Sequence, residues 1–122
     1  MKFTDLMIGD WVYCEGQPTP ENVTIQTIAE DGVWFNGSHY EGEASYDRIF
    51  PIPITPEILE KNGFIYNELP FVQGWEQFGL TLTIGGNGFR INCGINVAMI
   101  IDSVHELQHA IRLCGIDKEI VV

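Results

Sequence analysis

The 122-residue sequence predicts an α+β fold: a small N-terminal SH3-like β-barrel, a short helix, a β-hairpin and a C-terminal amphipathic helix. Three observations carry this expectation. Short alternating segments punctuated by Gly, Asp and Pro fill the first fifty residues. "LTLTIGGNGFRINC" sets two alternating strands around a glycine-rich turn. "TPEILEKNG" and "SVHELQHAIRLCG" each carry helix start and stop signals. No flexible linker separates these parts, so a single compact domain over 1–122 is expected, with a barrel-like half (1–54) and a helix–hairpin–helix half (55–122).

Taken in order, "LMIGDWVYC" puts Ile8 before a Gly-Asp turn and leads into Trp11, Val12 and Tyr13. "NVTIQTI" alternates through Val23 and Ile25, but Ile28 has the opposite parity, which marks a bulge or a strand end. In "EDGVWF" an Asp31-Gly32 turn leads into Val33, Trp34 and Phe35, a hairpin signal. Glu41 and Glu43 flank a glycine in an expected polar loop. "SYDRIFPIPI" is a strand that its prolines confine to an edge or an exit.

Thr55 then serves as N-cap, Pro56 occupies the first helical position and Asn62-Gly63 closes a short helix, with Ile58 and Leu59 toward the core. In the hairpin, Leu80, Leu82 and Ile84 share one face and Thr81 and Thr83 the other, with Phe89, Ile91 and Cys93 continuing the alternation on the return strand. "INVAMII" is either a buried strand or the start of a long helix, and Asn96, Val97 and Ile101 favour the strand. Ser103 and Glu106 form a capping box, Gly115 ends the second helix, and "KEIVV" is expected to add a terminal strand.

Composition narrows the function. No run approaches the roughly 18 apolar residues of a membrane span, and Asp5 and Asp10 interrupt the stretch a signal peptide would need, so a cytoplasmic protein is expected. The cysteines Cys14, Cys93 and Cys114 form no C-x-x-C pair and are read as reduced thiols. Net charge is -11 and lopsided: Asp5, Asp10, Glu15, Glu21, Glu30, Asp31, Glu41, Glu43 and Asp47 face only Lys2 within residues 1–47. Such a surface repels phosphate backbones and attracts a basic partner. Glu41, Glu43 and Asp47, together with Trp11, Trp34 and Tyr40, are the candidate partner-binding residues.

"HELQH" spells H-E-x-x-H, in which His105 and His109 could hold zinc and Glu106 could act as general base. On a helical wheel Val104, Leu107, Ala110, Ile111 and Cys114 form an apolar stripe, while the two histidines lie about 40° apart on the opposite side. If the stripe packs on a sheet, the imidazoles face outward rather than into a cleft. The usual third ligand is missing, because Arg112 and Gly115 stand where the longer motif needs Gly and His; His39 is the only other imidazole, although Asp117 or Glu119 could supply oxygen. Arg112 also places a cation beside the pair, which opposes a dication. Neither a phosphate-loop pattern nor G-x-S-x-G is present.

The segments "PIPITPEILEKNGF" and "VHELQHAIRLCGIDKEI", about a quarter of the chain, resemble a group of small proteins of Bacteroides-type gut bacteria and their phages. In that group the last helix often reads V-H-[EQ]-L-Q-N, without the second histidine. The resemblance implies that the zinc pattern is not the working part, and it supplies no activity and no catalytic residue.

The expectation is therefore a non-enzymatic interaction module, encoded by a phage or another mobile element, with no cofactor. Its partner is a protein, basic in character, and neither nucleic acid nor membrane is bound directly. A small H-E-x-x-H zinc peptidase-like protein is the alternative, and an acidic decoy imitating nucleic acid is a third.

Overall fold

The computed structural model describes residues 1, 3–16, 20–37, 41–69, 72–77, 80–85, 88–93 and 97–122. The chain divides into two units, Met1–Ile52 and Pro53–Val122, each built on its own antiparallel five-stranded sheet. The fold is thus α+β, with two sheets and two α-helices.

In the first unit β1 (Trp11–Cys14), β2 (Glu21–Ile28), β3 (Gly32–Asn36), β4 (Glu41–Ser45) and β5 (Ile49–Phe50) lie in the order β4-β3-β2-β1-β5. The turn before β1 is fixed by Asp10, which is fully buried: its carboxylate accepts from the Met7 amide at 2.7 Å, and its own amide donates to the Met7 carbonyl. Gly9 there has φ 94°, a conformation that only glycine adopts without cost. The β2–β3 hairpin closes through the Ala29 amide and the Gly32 carbonyl at 2.9 Å. The parity change at Ile28 is a bulge: the β2–β3 register shifts between Ile25 and Thr27, so Ile28 pairs with Val33 and packs on the core.

Alternation then sorts the side chains. Val12, Cys14, Val23, Ile25, Val33, Phe35, Ala44 and Ile49 point inward and, with Leu6, form one buried cluster. Burial also pushes the Cys14 thiol above its ordinary pKa, which disfavours the thiolate.

Two expectations need correction here. Glu41 and Glu43 lie on edge strand β4 rather than in a loop; alternation turns both outward while Ala44 points inward. The expected barrel is not closed. β4 and β5, consecutive in the chain, form opposite edges of the sheet and are joined by a 3-10 turn (Tyr46–Arg48). Strand β5 has only two residues before Pro51, and proline cannot donate to a ladder, so little backbone remains to reach β4.

In the second unit, α1 (Pro56–Lys61) has the expected grammar: Thr55 Oγ1 accepts from the Ile58 amide at 3.3 Å, and Pro56 opens the helix. Leu59 is fully buried and Ile58 half-buried. Gly63, at φ 85°, ends the helix while the Phe64 amide bonds back to the Leu59 carbonyl. There follow β6 (Ile65–Leu69), β7 (Val72–Gln77), β8 (Leu80–Gly85), β9 (Gly88–Cys93) and β10 (Val97–Ile101), a meander in chain order. The expected hairpin is β8–β9, with Leu82 opposite Ile91 and Gly85 opposite Gly88, and "INVAMII" does supply a strand. Trp75, Leu80, Leu82, Ile91 and Ile101 are buried, whereas Glu76, Arg90 and Ile100 are exposed.

Helix α2 (Val104–Leu113) follows β10 and ends at Gly115 (φ 74°). "KEIVV" adds no strand. Instead Asn62, buried at the end of α1, holds the terminal segment in both directions: its Nδ2 donates to the Val121 carbonyl at 2.7 Å, and its Oδ1 accepts from the Val121 amide at 2.8 Å. One buried amide satisfied on both sides replaces a sheet edge.

Candidate functional site

Strand register in the first unit gathers residues that lie far apart in sequence. Trp11 pairs with Thr24, Thr24 with Asn36 and Asn36 with Glu41, so these four form one row across the outer face of the sheet. A second row runs Thr27–Trp34–Glu43, and a third Phe50–Tyr13–Asn22. Trp34 is 50% exposed, Phe50 and Tyr13 are also exposed, and Trp11 is half-buried. Aromatic area left in water on one face and bordered by carboxylates is the composition of a binding surface rather than of a core.

The candidate residues therefore divide as follows. Trp11, Trp34, Glu41 and Glu43 share the outer face. Asp47 sits in the 3-10 turn after β4, where the Ser45 hydroxyl donates to its carboxylate and holds its pKa below the usual value. It is fully ionised at neutral pH. Tyr40 lies outside the described residues. Tyr13 and Phe50 were not foreseen, although Tyr13 has the parity of Trp11 within "WVYC".

Beside Trp34 the surface opens into a groove of about 320 Å³ lined by Asp31, Gly32, Trp34, Glu43, Ser45 and Arg48, among others. Gly32 can carry no side chain there, since a Cβ would lie 2.2 Å from the Ala44 carbonyl oxygen. The Tyr46 hydroxyl donates to the Ala29 carbonyl, tying the β2–β3 hairpin to the 3-10 turn.

The H-E-x-x-H residues occupy a different environment. His105 is buried at 6% exposure, not outward as the wheel implies, and His109 is half-buried. The buried arc of α2 includes Gln108 as well as Val104, Leu107, Ala110 and Ile111, so it is wider than the apolar stripe. A polar ring can enter it because Ser103 Oγ lies 3.1 Å from His105 Nδ1 and pairs that nitrogen. The two imidazoles pack edge to face, 5.6 Å between centroids.

The capping box is altered too. Ser103 Oγ does not cap the helix backbone but donates to Glu106 Oε1 at 2.6 Å, and the same oxygen accepts from the Asp102 amide at 3.3 Å. Glu106 is thus committed to the helix start. Asp102, beside this carboxylate, has its pKa raised by hydrogen bonding to Glu106, then by burial; for Glu106 desolvation is the largest single influence and raises the pKa, but hydrogen bonds with Asp102 and Ser103 together turn the net shift downward.

Among the described residues, no three His, Cys, Asp or Glu side chains are placed to hold a metal ion; His39 lies outside them. With His105 bonded to Ser103 and no third ligand placed among the described residues, elemental analysis of protein purified without chelator is expected to find no stoichiometric zinc. About one zinc per chain, lost on His109→Ala, would instead restore the peptidase alternative.

No family model, curated protein or solved structure matches the chain. Among the described residues, no helix is long and apolar enough to cross a membrane.

Proposed function

We propose that this protein is a non-enzymatic interaction module, cytoplasmic and carried by a phage or other mobile element, whose N-terminal unit binds a basic protein partner. The observation that carries the proposal is the outer face itself: Trp11, Tyr13, Trp34 and Phe50 interleaved with Glu41 and Glu43, with ionised Asp47 next to β4. The charge of the unit supports it, nine carboxylates standing against Lys2 and Arg48. We also read the sheet as an opened SH3-like barrel, because a 3-10 turn leads into a short last strand that pairs with the first. In this architecture the outer face is free for a partner while the inner face holds the core.

Acidic residues on an edge strand also discourage edge-to-edge pairing, and acidity aids solubility. The test must therefore separate a local surface from overall charge. Reversing Glu41, Glu43 and Asp47 together to lysine is expected to slow association with the basic partner about tenfold or more. The fold should tolerate the change, because all three side chains are exposed. Unchanged association kinetics would remove the acidic face from the account.

A further inference from the structure

Resting on that proposal, we infer that the groove beside Trp34 is the anchor point of the face and takes one arginine side chain of the partner. Its volume of about 320 Å³ is at the small end of ligand clefts, enough for one long side chain and not for a folded segment. Trp34 and Glu43 are directly opposed on β3 and β4, which sets their Cβ atoms about 5 Å apart. A guanidinium stacked over the half-exposed indole lies within reach of the Glu43 carboxylate. It would satisfy a cation–π contact and a charge-assisted hydrogen bond at once.

Asp31 adds a second negative charge at the hairpin tip. Arg48 is the one cation among the lining residues, and its guanidinium extends toward Gly16 at the end of β1, where Nη1 lies 3.7 Å from a Cβ position. Two carboxylates against one guanidinium leave the groove net negative, so an anionic occupant is disfavoured. Glycine at position 32 lets β3 approach the β4 backbone closely enough to hold Trp34 opposite Glu43. Arginine is selected over lysine because its flat, weakly hydrated head can stack and fork, whereas an ammonium is a compact, strongly hydrated charge.

The experiment titrates the full chain with a capped Gly/Ser peptide bearing arginines, and with its lysine and citrulline counterparts. Affinity is measured by calorimetry, and the Trp34 indole N–H resonance is followed by NMR. Saturable displacement of that resonance is expected with the arginine peptide, which should bind roughly fivefold or more tighter than the lysine peptide, with the citrulline peptide weaker still. Trp34→Leu and Glu43→Gln should each weaken binding by about 3- to 30-fold. Circular dichroism confirms that both variants fold, and the near-isosteric Glu43→Gln keeps the test valid should Trp34→Leu not. Equal binding of the arginine and lysine peptides with no effect of either variant overturns the groove while leaving the acidic face standing, provided the triple lysine reversal still weakens binding. Absence of arginine-peptide binding also overturns it.

Discussion

Phe35→Ala is expected to lower the stability of the N-terminal unit by about 3–5 kcal/mol, the cost of emptying a large aromatic site that the neighbouring side chains cannot refill. Phe35 is 2% exposed, sits opposite Ile25 and belongs to the cluster of Val12, Val23, Val33 and Ile49. The adjacent Trp34→Leu, on the other face of the same strand, should cost less than about 1 kcal/mol. Denaturant unfolding followed by far-ultraviolet circular dichroism measures both. A larger loss at Trp34 than at Phe35 would mean that the inner and outer faces have been exchanged, and the partner surface with them.

The second large effect is expected at Gly32. Alanine there places a Cβ 2.2 Å from the Ala44 carbonyl oxygen, and the obstacle is backbone rather than a side chain that can swing away. Strand β3 must separate locally from β4, at a cost on the order of 2–3 kcal/mol. Because Gly32 pairs with Ser45 and Trp34 with Glu43, the strain also displaces the two residues that define the groove. Gly32→Ala should therefore lose both stability and arginine-peptide affinity. A variant as stable as the parent would show that the two strands are not packed this closely.

Local grammar was well written into this sequence. Thr55-Pro56 and Asn62-Gly63 bound α1 as expected, and the opposite parity of Ile28 marked a bulge that the β2–β3 register shift confirms. The β8–β9 pairing follows the alternation expected of it, with Leu82 opposite Ile91, while residues 86–87 of the expected turn lie outside the described residues. Strands β6 and β7 were not legible: Ile65 and Tyr66 are exposed, and Gly74 interrupts the alternation of β7. "EGEAS" has too little strand propensity to reveal β4, which owes its conformation to pairing with β3.

The site was legible by composition but not by arrangement. Nothing in the spacing of Trp34 and Glu43 says that they oppose each other, because the register across residues 37–40 is set by the sheet. The burial of His105 was hidden for a related reason. A helical wheel sorts residues by polarity, whereas this imidazole is admitted to the interior by a hydroxyl two residues earlier.

Charge on one face of the N-terminal unit is proposed to recognise a basic partner. The most direct test measures affinity for the arginine peptide against salt concentration in three proteins: the parent, the Glu41, Glu43 and Asp47 lysine reversal, and a control reversal of Glu60, Asp117 and Glu119. Those control residues are exposed on the second unit, and their reversal changes net charge by the same amount. The account predicts affinity that falls steeply with salt in the parent and the control, as exposed charges are screened beyond about 10 Å at 0.1 M, and weak, nearly salt-independent binding in the first reversal. Equal weakening by both reversals would reduce the acidity to a diffuse property of the molecule and contradict the assignment of a face.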